Sequence, residues 1–547
     1  KTGTLTQNQM QVAETKLAKI SDELLAEMIA TNTTANLDFS DKKAIKAVGN
    51  PTEAALLLWL NGKGISYITV RENSEIIDRL PFSTENKYMV SVVKSVVLNK
   101  NVAFVKGAPE ILLALSNLDE KQKREYQSLL LDYQNKAMRT LALAYVESNG
   151  SEQVLKDGKL NVNDLNFVGI FGISDPVRED VPAAINDCVS AGIQVKIVTG
   201  DTSGTAKEIG RQIGLWNEKD TDKNILTGTE FAAMTDDELL NRVEDVKILS
   251  RARPNDKERL VRLLQKRGLV VAATGDGTND APALNVADVG LSMGDGTAVA
   301  KEASDMTIQD NSFSTIANAV MWGRSLYKNI QRFLLFQLTV NVTACFLVLV
   351  GAFMGTQSPL TVTQMLWINL IMDTFAAIAL ASLPPSKSVM NDKPRDRKAS
   401  ILSDSMRKEI LGVGFFFFFL LVAMLFVFEH GDYTSMRDLL NLYIGERDSL
   451  TTYELTLLFT TFVMTHFFYL FNARAFETGK SALHFKGCQG LLAIIAVVFL
   501  GQIAMVEIPF LQDFFNVCGL KFEDWIIIII GSSLVLWVRE IWHLITK

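Results

Sequence analysis

Two hydrophobic patterns divide the chain. Residues 1–330 mix apolar and polar positions at ordinary density, whereas residues 333–547 alternate long apolar runs with short charged loops. Six runs, approximately 333–355, 362–382, 410–428, 453–472, 490–508 and 525–543, are long and apolar enough to cross a bilayer, which takes about 20 residues each. The loop after the second run carries Lys387, Lys393, Arg395, Arg397, Lys398, Arg407 and Lys408, and the loop after the fourth carries Arg474, Lys480 and Lys486. The remaining loops are short and uncharged (355–361) or acidic, with Glu429, Asp432, Asp438, Glu446 and Asp448 in one and Asp513, Glu523 and Asp524 in the other. Positive charge stays on the cytoplasmic side, which predicts that residues 1–332, both basic loops and the C-terminus are cytoplasmic.

In the polar half, residues 165–173, 193–198 and 269–274 read as buried strands, each leading into a loop and a helix-like segment. That alternation predicts a parallel sheet with its active site beyond the carboxyl ends of the strands. The chemistry-bearing residues fall there: Thr199-Gly200-Asp201 after one strand and Gly275-Asp276-Gly277 after another, with Lys257 ahead of the latter. Before residue 165 lies a long insertion with its own strand pattern at 80–83, 87–93 and 101–106. A stretch of that length is a domain rather than a loop.

The length of 547 residues implies roughly three to four domains. The net charge of -7, with no basic stretch interleaved with aromatics, excludes a nucleic-acid partner. The cysteines Cys188, Cys345, Cys488 and Cys518 are scattered without metal-ligand spacing and are expected as free thiols. One carboxylate, Asp373, falls inside a membrane run, where a charge at helix centre costs about 2.5–3.5 kcal/mol. Asn369, four residues earlier, is expected on the same helical face. A carboxylate with an amide carbonyl is the hard-oxygen set that suits Ca²⁺. Asn341, His466 and Glu454 are weaker candidates, and Glu507 is expected at the interface.

Two strings carry a resemblance. Lys1-Thr2-Gly3-Thr4-Leu5-Thr6 is similar to the string directly after the phosphorylated aspartate of P-type ATPases, and Thr274 to Leu284 (TGDGTNDAPAL) resembles that family's Mg²⁺-binding hinge motif. The resemblance runs along essentially the whole chain. It implies a multidomain α/β protein with membrane helices. Residues 1–14 and 162–327 would form a haloacid-dehalogenase-like phosphorylation domain, 15–161 an inserted α+β nucleotide-binding domain, and 328–547 six transmembrane helices. The nucleophilic aspartate would stand immediately before Lys1 and attack the γ-phosphate of ATP. An actuator domain and four membrane helices would precede it. The lipid bilayer is the other expected partner, with no obligate partner protein.

By the same resemblance, Lys1, Thr2, Thr199, Gly200, Asp201, Lys257, Asn279 and Asp280 form the catalytic set. Asp276 and the Thr2 carbonyl would hold Mg²⁺, and Lys257 would neutralise the transferring phosphoryl group. Phe82 corresponds to an adenine-stacking residue and Glu53 to an adenine-edge acceptor; Lys87, Lys106, Arg139 and Arg251 complete the ATP site. Thr84 stands where calcium pumps commonly have an arginine. Asp175 and Arg178 match a motif at the domain hinge.

The membrane strings Gln337 to Val342 and Met365 to Thr374 look like those of plasma-membrane-type calcium pumps. Ala344 and His466 occupy the positions of a second calcium site's ligands. The implied activity is ATP-driven export of one Ca²⁺ per cycle, with Asn369 and Asp373 as ligands, at a cell membrane. Alternatives are a pump for H⁺, Na⁺ or Mn²⁺, or a membrane-anchored phosphatase, which would need neither the insertion nor Asp373.

Overall fold

The computed structural model describes residues 4–7, 9–40, 45–148, 154–156, 159–440, 449–485 and 488–545. Lys1, Thr2, Glu446, Asp448 and Lys486 lie outside them. The chain divides into two units, Lys1–Asn318 and Ala319–Lys547.

In the first unit, the strands Gln11–Leu17, Asn166–Ser174, Arg139–Ser148, Lys100–Gly107, Tyr88–Ser95 and Glu75–Leu80 lie side by side in that order as one antiparallel sheet. Alternate side chains point to opposite faces. Val93, Phe104, Leu143 and Phe171 pack under the helices Asp22–Thr31 and Pro51–Gly62, while Val90, Val105, Ala142 and Ile170 pack under Pro109–Ala114 and Glu120–Asn135. Helix Pro51–Gly62 starts where it does because the Asn50 side chain accepts from Thr52 N and Pro51 takes the first turn.

Two three-stranded parallel sheets complete the unit. One has Ile248–Ser250 between Ile197–Val198 and Ile225–Thr227; the other has Val289–Met293 between Ala272–Gly275 and Met306–Ile308. Ile197–Val198 and Ala272–Gly275 are both edge strands, and Leu5 packs in a core that takes residues from both sheets. The parallel arrangement expected for 193–198 and 269–274 is therefore present. The strand expected at 165–173 is not part of it: Asn166–Ser174 joins the antiparallel sheet instead. Its middle residues are buried on both faces, so its apolar run resembles a parallel-sheet strand although its neighbours are antiparallel.

In the second unit, six helices among the described residues are long and apolar enough to cross a membrane: Phe313–Met354, Val362–Ala381, Asp404–His430, Thr452–Ala475, Gln489–Glu507 and Phe522–Ile545. The first begins just before the boundary between the units. Its 42 residues correspond to about 63 Å, roughly twice the hydrocarbon thickness. Only its apolar part from about 333 fits the bilayer.

Gly169 sits at a bulge in strand Asn166–Ser174, with φ +151°, and a Cβ there would lie 2.2 Å from the Lys16 carbonyl oxygen. The neighbour is backbone of the adjoining strand and cannot swing away. Gly169→Ala is expected to destabilise the first unit by about 1–3 kcal/mol. Pulse proteolysis of the full-length protein in urea measures this as a lower midpoint; an equal midpoint contradicts it.

Candidate functional site

The loops at the carboxyl ends of the parallel strands hold most of the expected catalytic residues. Strand Ala272–Gly275 delivers Asp276 and then a tight turn, Thr278–Asp280. Asp280 folds back over that turn. Its Oδ2 accepts from Asp276 N at 3.3 Å and Gly277 N at 3.2 Å, while Oδ1 pairs with the Lys257 ammonium. Gly275 makes the fold-back possible, since a Cβ at 275 would meet the Asp280 Cβ at 2.3 Å. Lys257 comes from the first turn of helix Pro254–Lys266, whose start is closed by Asp256 accepting from Arg253 N at 2.8 Å. Burial and the neighbouring Asp280 push the Asp276 carboxyl above its ordinary range. Two carboxylates and one ammonium thus meet on one half-buried loop.

On the other parallel sheet, the buried Thr199 hydroxyl donates to Asp201 Oδ2 at 3.1 Å and accepts from Asp201 N at 3.1 Å. Arg251, in the left-handed region at φ +48°, donates its backbone N–H to the Asp201 carbonyl. Gly200 and Asn279 are exposed beside these groups in sequence. The first described residues tie to the hinge motif: the Thr6 hydroxyl donates to Asp175 Oδ2 at 2.5 Å, Gln9 N to Asp175 Oδ1, and Arg178 Nε to the Thr6 carbonyl. Lys1 and Thr2 fall outside the described residues.

The ATP-site candidates other than Arg251, which lies beside Asp201 on the parallel sheet, gather at one end of the antiparallel sheet. Strand Glu75–Leu80 ends there just ahead of Phe82, and Tyr88–Ser95 starts there just after Lys87. Register pairs Tyr88 with Gly107, next to Lys106, and Gly107 with Ala142, in the strand that opens at Arg139. Phe82 is 59% exposed, unusual for a phenylalanine and apt for stacking. Lys87 and Arg139 are exposed, and Arg139 reaches the Thr52 hydroxyl at 3.5 Å.

Glu53 and Lys106, expected as separate ligands, pair with each other at 2.8 Å. Lys106 also donates to the Asn32 carbonyl, and Glu53 Oε2 accepts from the Thr33 hydroxyl and from the backbone and hydroxyl of Thr34. Burial alone would push the Glu53 carboxyl up; the Lys106 ammonium and the bonds from Lys106 and Thr34 hold it at about 2. Burial pulls the Lys106 ammonium below its ordinary range, with Glu53 opposing. The supporting Asn32, Thr33 and Thr34 escaped sequence reasoning because they lie about twenty residues before Glu53, with no motif of their own.

Asp373 is 2% exposed, and neither carboxylate oxygen has a hydrogen-bond partner; the Gln337 amide faces it without closing one. Asn369, four residues earlier, is exposed. Between them runs a π turn over Trp367–Met372, closed by Asp373 N–H donating to the Ile368 carbonyl, five residues back. Ile368, whose carbonyl takes that bond, is buried. Asn341 is half-buried. His466 donates or accepts through Nδ1 at the Phe462 carbonyl, 2.7 Å away, and its ring lies against Phe417 and Phe462. Glu454 closes the start of its own helix by accepting from Thr451 and Tyr433 N, and Glu507 accepts from Trp525 Nε1 at 2.8 Å. Among the described residues, no three His, Cys, Asp or Glu side chains converge.

Comparison with known proteins agrees with this architecture. The family described as "Cation transporting ATPase, C-terminus" matches residues 357–545, "P-type ATPase, cytoplasmic domain N" residues 21–180, and "haloacid dehalogenase-like hydrolase" residues 258–320. Calcium-transporting ATPase 9, plasma membrane-type, of Arabidopsis thaliana is 36% identical over 578 residues, covering 98% of this chain and 51% of the relative. Calcium-transporting ATPase 5, plasma membrane-type, of Oryza sativa is 35% identical over 573 residues, with 98% and 51% covered. Calcium-transporting ATPase PAT1 of Dictyostelium discoideum is 34% identical over 587 residues, again with 98% and 51% covered. The chain thus spans about half the length of the relatives it matches.

Lys106→Met is expected to leave Glu53 buried without its cation, costing about 3–5 kcal/mol at neutral pH. Because the Glu53 carboxyl is depressed from 4.5 to about 2, its contribution is complete above about pH 4.5 and is lost as pH falls towards 2. Urea midpoints of the two proteins should therefore converge across that window; a constant gap contradicts the pairing as their cause.

Proposed function

Since the chain belongs with the P-type ATPases and is a relative of their plasma-membrane-type calcium-transporting members, we propose that it serves ATP-driven Ca²⁺ export through an aspartyl-phosphate intermediate. The observation that carries this reading is Asp373, a carboxylate deep among membrane helices with both oxygens unpartnered. A position so costly to bury suits a cation ligand. The domain boundary at 327/328 belongs to this proposal, as does the cytoplasmic placement of residues 1–332 and the C-terminus; the boundaries expected at 14/15 and 161/162 do not fit the inserted domain's sheet, which includes strands Gln11–Leu17 and Asn166–Ser174.

ATP enters against the exposed ring of Phe82, with Lys87, Arg139 and Arg251 towards its phosphates. The Glu53–Lys106 pair braces the floor of that end of the sheet. An aspartate preceding Lys1 attacks the γ-phosphorus. A new O–P bond forms, the bond to the β-phosphate oxygen breaks, and ADP leaves. Lys257, anchored by Asp280, offsets charge on the phosphoryl oxygens, while Thr199 and Thr2 donate hydrogen bonds and Gly200 admits close approach. Asp276 and the Thr2 carbonyl would hold Mg²⁺, which would supply further charge neutralisation there. Asn279 and Asp280 shape the loop, and Lys1 and Asp201 complete the surround.

In the membrane, Asp373 is the charged Ca²⁺ ligand. Asn369, four residues earlier on the same span, is the second ligand, and further ligands come from helices N-terminal to Lys1. Ala344 and His466 bring no acid to a second site, which supports one Ca²⁺ per cycle.

Two variants and one labelling assay test this in the full-length protein. Labelled ATP should give a phosphoprotein only with Ca²⁺, lost on hydroxylamine treatment. A band that needs a different cation would keep the pump and overturn its ion. Asp276→Asn should cut labelling by about 10²–10³-fold, and normal labelling would remove Asp276 from the metal site. Asp373→Asn should keep nucleotide binding and lose Ca²⁺ activation; unchanged Ca²⁺ dependence would sink the ligand assignment.

A further inference from the structure

The π turn ahead of Asp373 is held from one side. Trp367, its first residue, donates Nε1–H to Gln502 Oε1 at 3.0 Å, on the fifth span. The indole also stands edge-on to Phe515, with centroids 5.8 Å apart, and one turn earlier Gln364 Nε2 donates to the Phe515 carbonyl at 3.2 Å. Gly501, next to Gln502, has no side chain where the indole lies: a Cβ there would come within 2.9 Å of the ring. The start of the second span is thus fastened to the segment 501–515.

Gln502 is 1% exposed, and its Nε2 is buried with no partner. An amide free to choose would satisfy both ends. This one is committed by the indole N–H, which only Oε1 can accept, and its donor end is left unbonded. The contact thus satisfies the buried indole N–H while leaving the amide donor of Gln502 unbonded, which is unfavourable. Beyond the turn, Ala376, Ala379 and Leu380 face the interior on an ordinary α-helical spacing. The π turn is the phase difference between these two fastened stretches. Were Trp367 released, the helix could close the turn to regular α geometry, rotating everything beyond it by about 100°, one residue's share of a turn. Asp373 would then leave the interior.

We propose that Gln502, with Gly501 as the seat of the indole, is a positioning residue for the transported cation. Through Trp367 it maintains the π turn that points Asp373 inward, and it contributes no ligand itself. The inference rests on Asp373 being the Ca²⁺ ligand.

The test uses the full-length protein in membranes, with Ca²⁺ titrated against phosphorylation from labelled ATP. Gln502→Leu keeps the bulk and removes the acceptor; it should weaken apparent Ca²⁺ affinity at least about tenfold, with the maximal labelled level retained. Labelling by inorganic phosphate without Ca²⁺ should also be retained, which a general loss of structure would not allow. Trp367→Phe keeps the ring and removes only its N–H. It should show the same weakening, and the double variant no more than either alone. Wild-type Ca²⁺ dependence in either folded single variant overturns the proposal, as does full additivity in the double. If Asp373→Asn leaves Ca²⁺ dependence unchanged, the ion assignment itself falls, whatever Gln502→Leu does.

Discussion

A carboxylate taken out of water must be given a cation or enough hydrogen-bond donors, because its desolvation is larger than any single packing gain. Most of this chain's buried acids obey. Glu53 has Lys106 and two threonines, and the half-buried Asp280 has Lys257 and two backbone N–H groups. Asp524 takes the Ser435 hydroxyl, Met436 N and the Tyr453 hydroxyl, and Glu454 caps its own helix. Each of these fastens separate segments, so satisfying the charge is also what brings them together. Asp373 is the departure. Its oxygens have no such donors, and the backbone around it is irregular at the same place.

Irregular backbone and chemistry coincide elsewhere too. Arg251 adopts a left-handed conformation beside Asp201, and the close approach of Asp280 to Gly275 leaves no space for any other residue at 275. Such positions are stable only where surrounding contacts over-determine them. In the parallel sheets those contacts come from short strands whose ends converge on loops. In the membrane they come from the Trp367–Gln502 contact and the packing of small residues beyond the turn.

Much of the site was legible beforehand because its residues sit in contiguous strings. Thr199-Gly200-Asp201 and Gly275-Asp276-Gly277 were placed at strand ends by the apolar runs before them, and both are found there. Two of the inserted domain's strands, expected at 87–93 and 101–106, were close to their observed limits, since alternation over several residues is a local property, whereas the one expected at 80–83 lies earlier, at Glu75–Leu80. The Glu53–Lys106 pair was not legible as a pair. Nothing in either neighbourhood says that an acid and a base 53 positions apart share one buried contact.

The six spans and the positive character of two of their loops were readable directly, because hydropathy and charge belong to each residue and need no partner. Strand Asn166–Ser174 was read differently from how it stands, and the π turn at Trp367–Met372 was not foreseen. The first has an apolar run that fits either kind of sheet, and its neighbours settle the matter. The second inserts one residue into the helix. That residue is accommodated by contacts more than a hundred positions away, at Gln502 and Phe515, so no local pattern could have announced it.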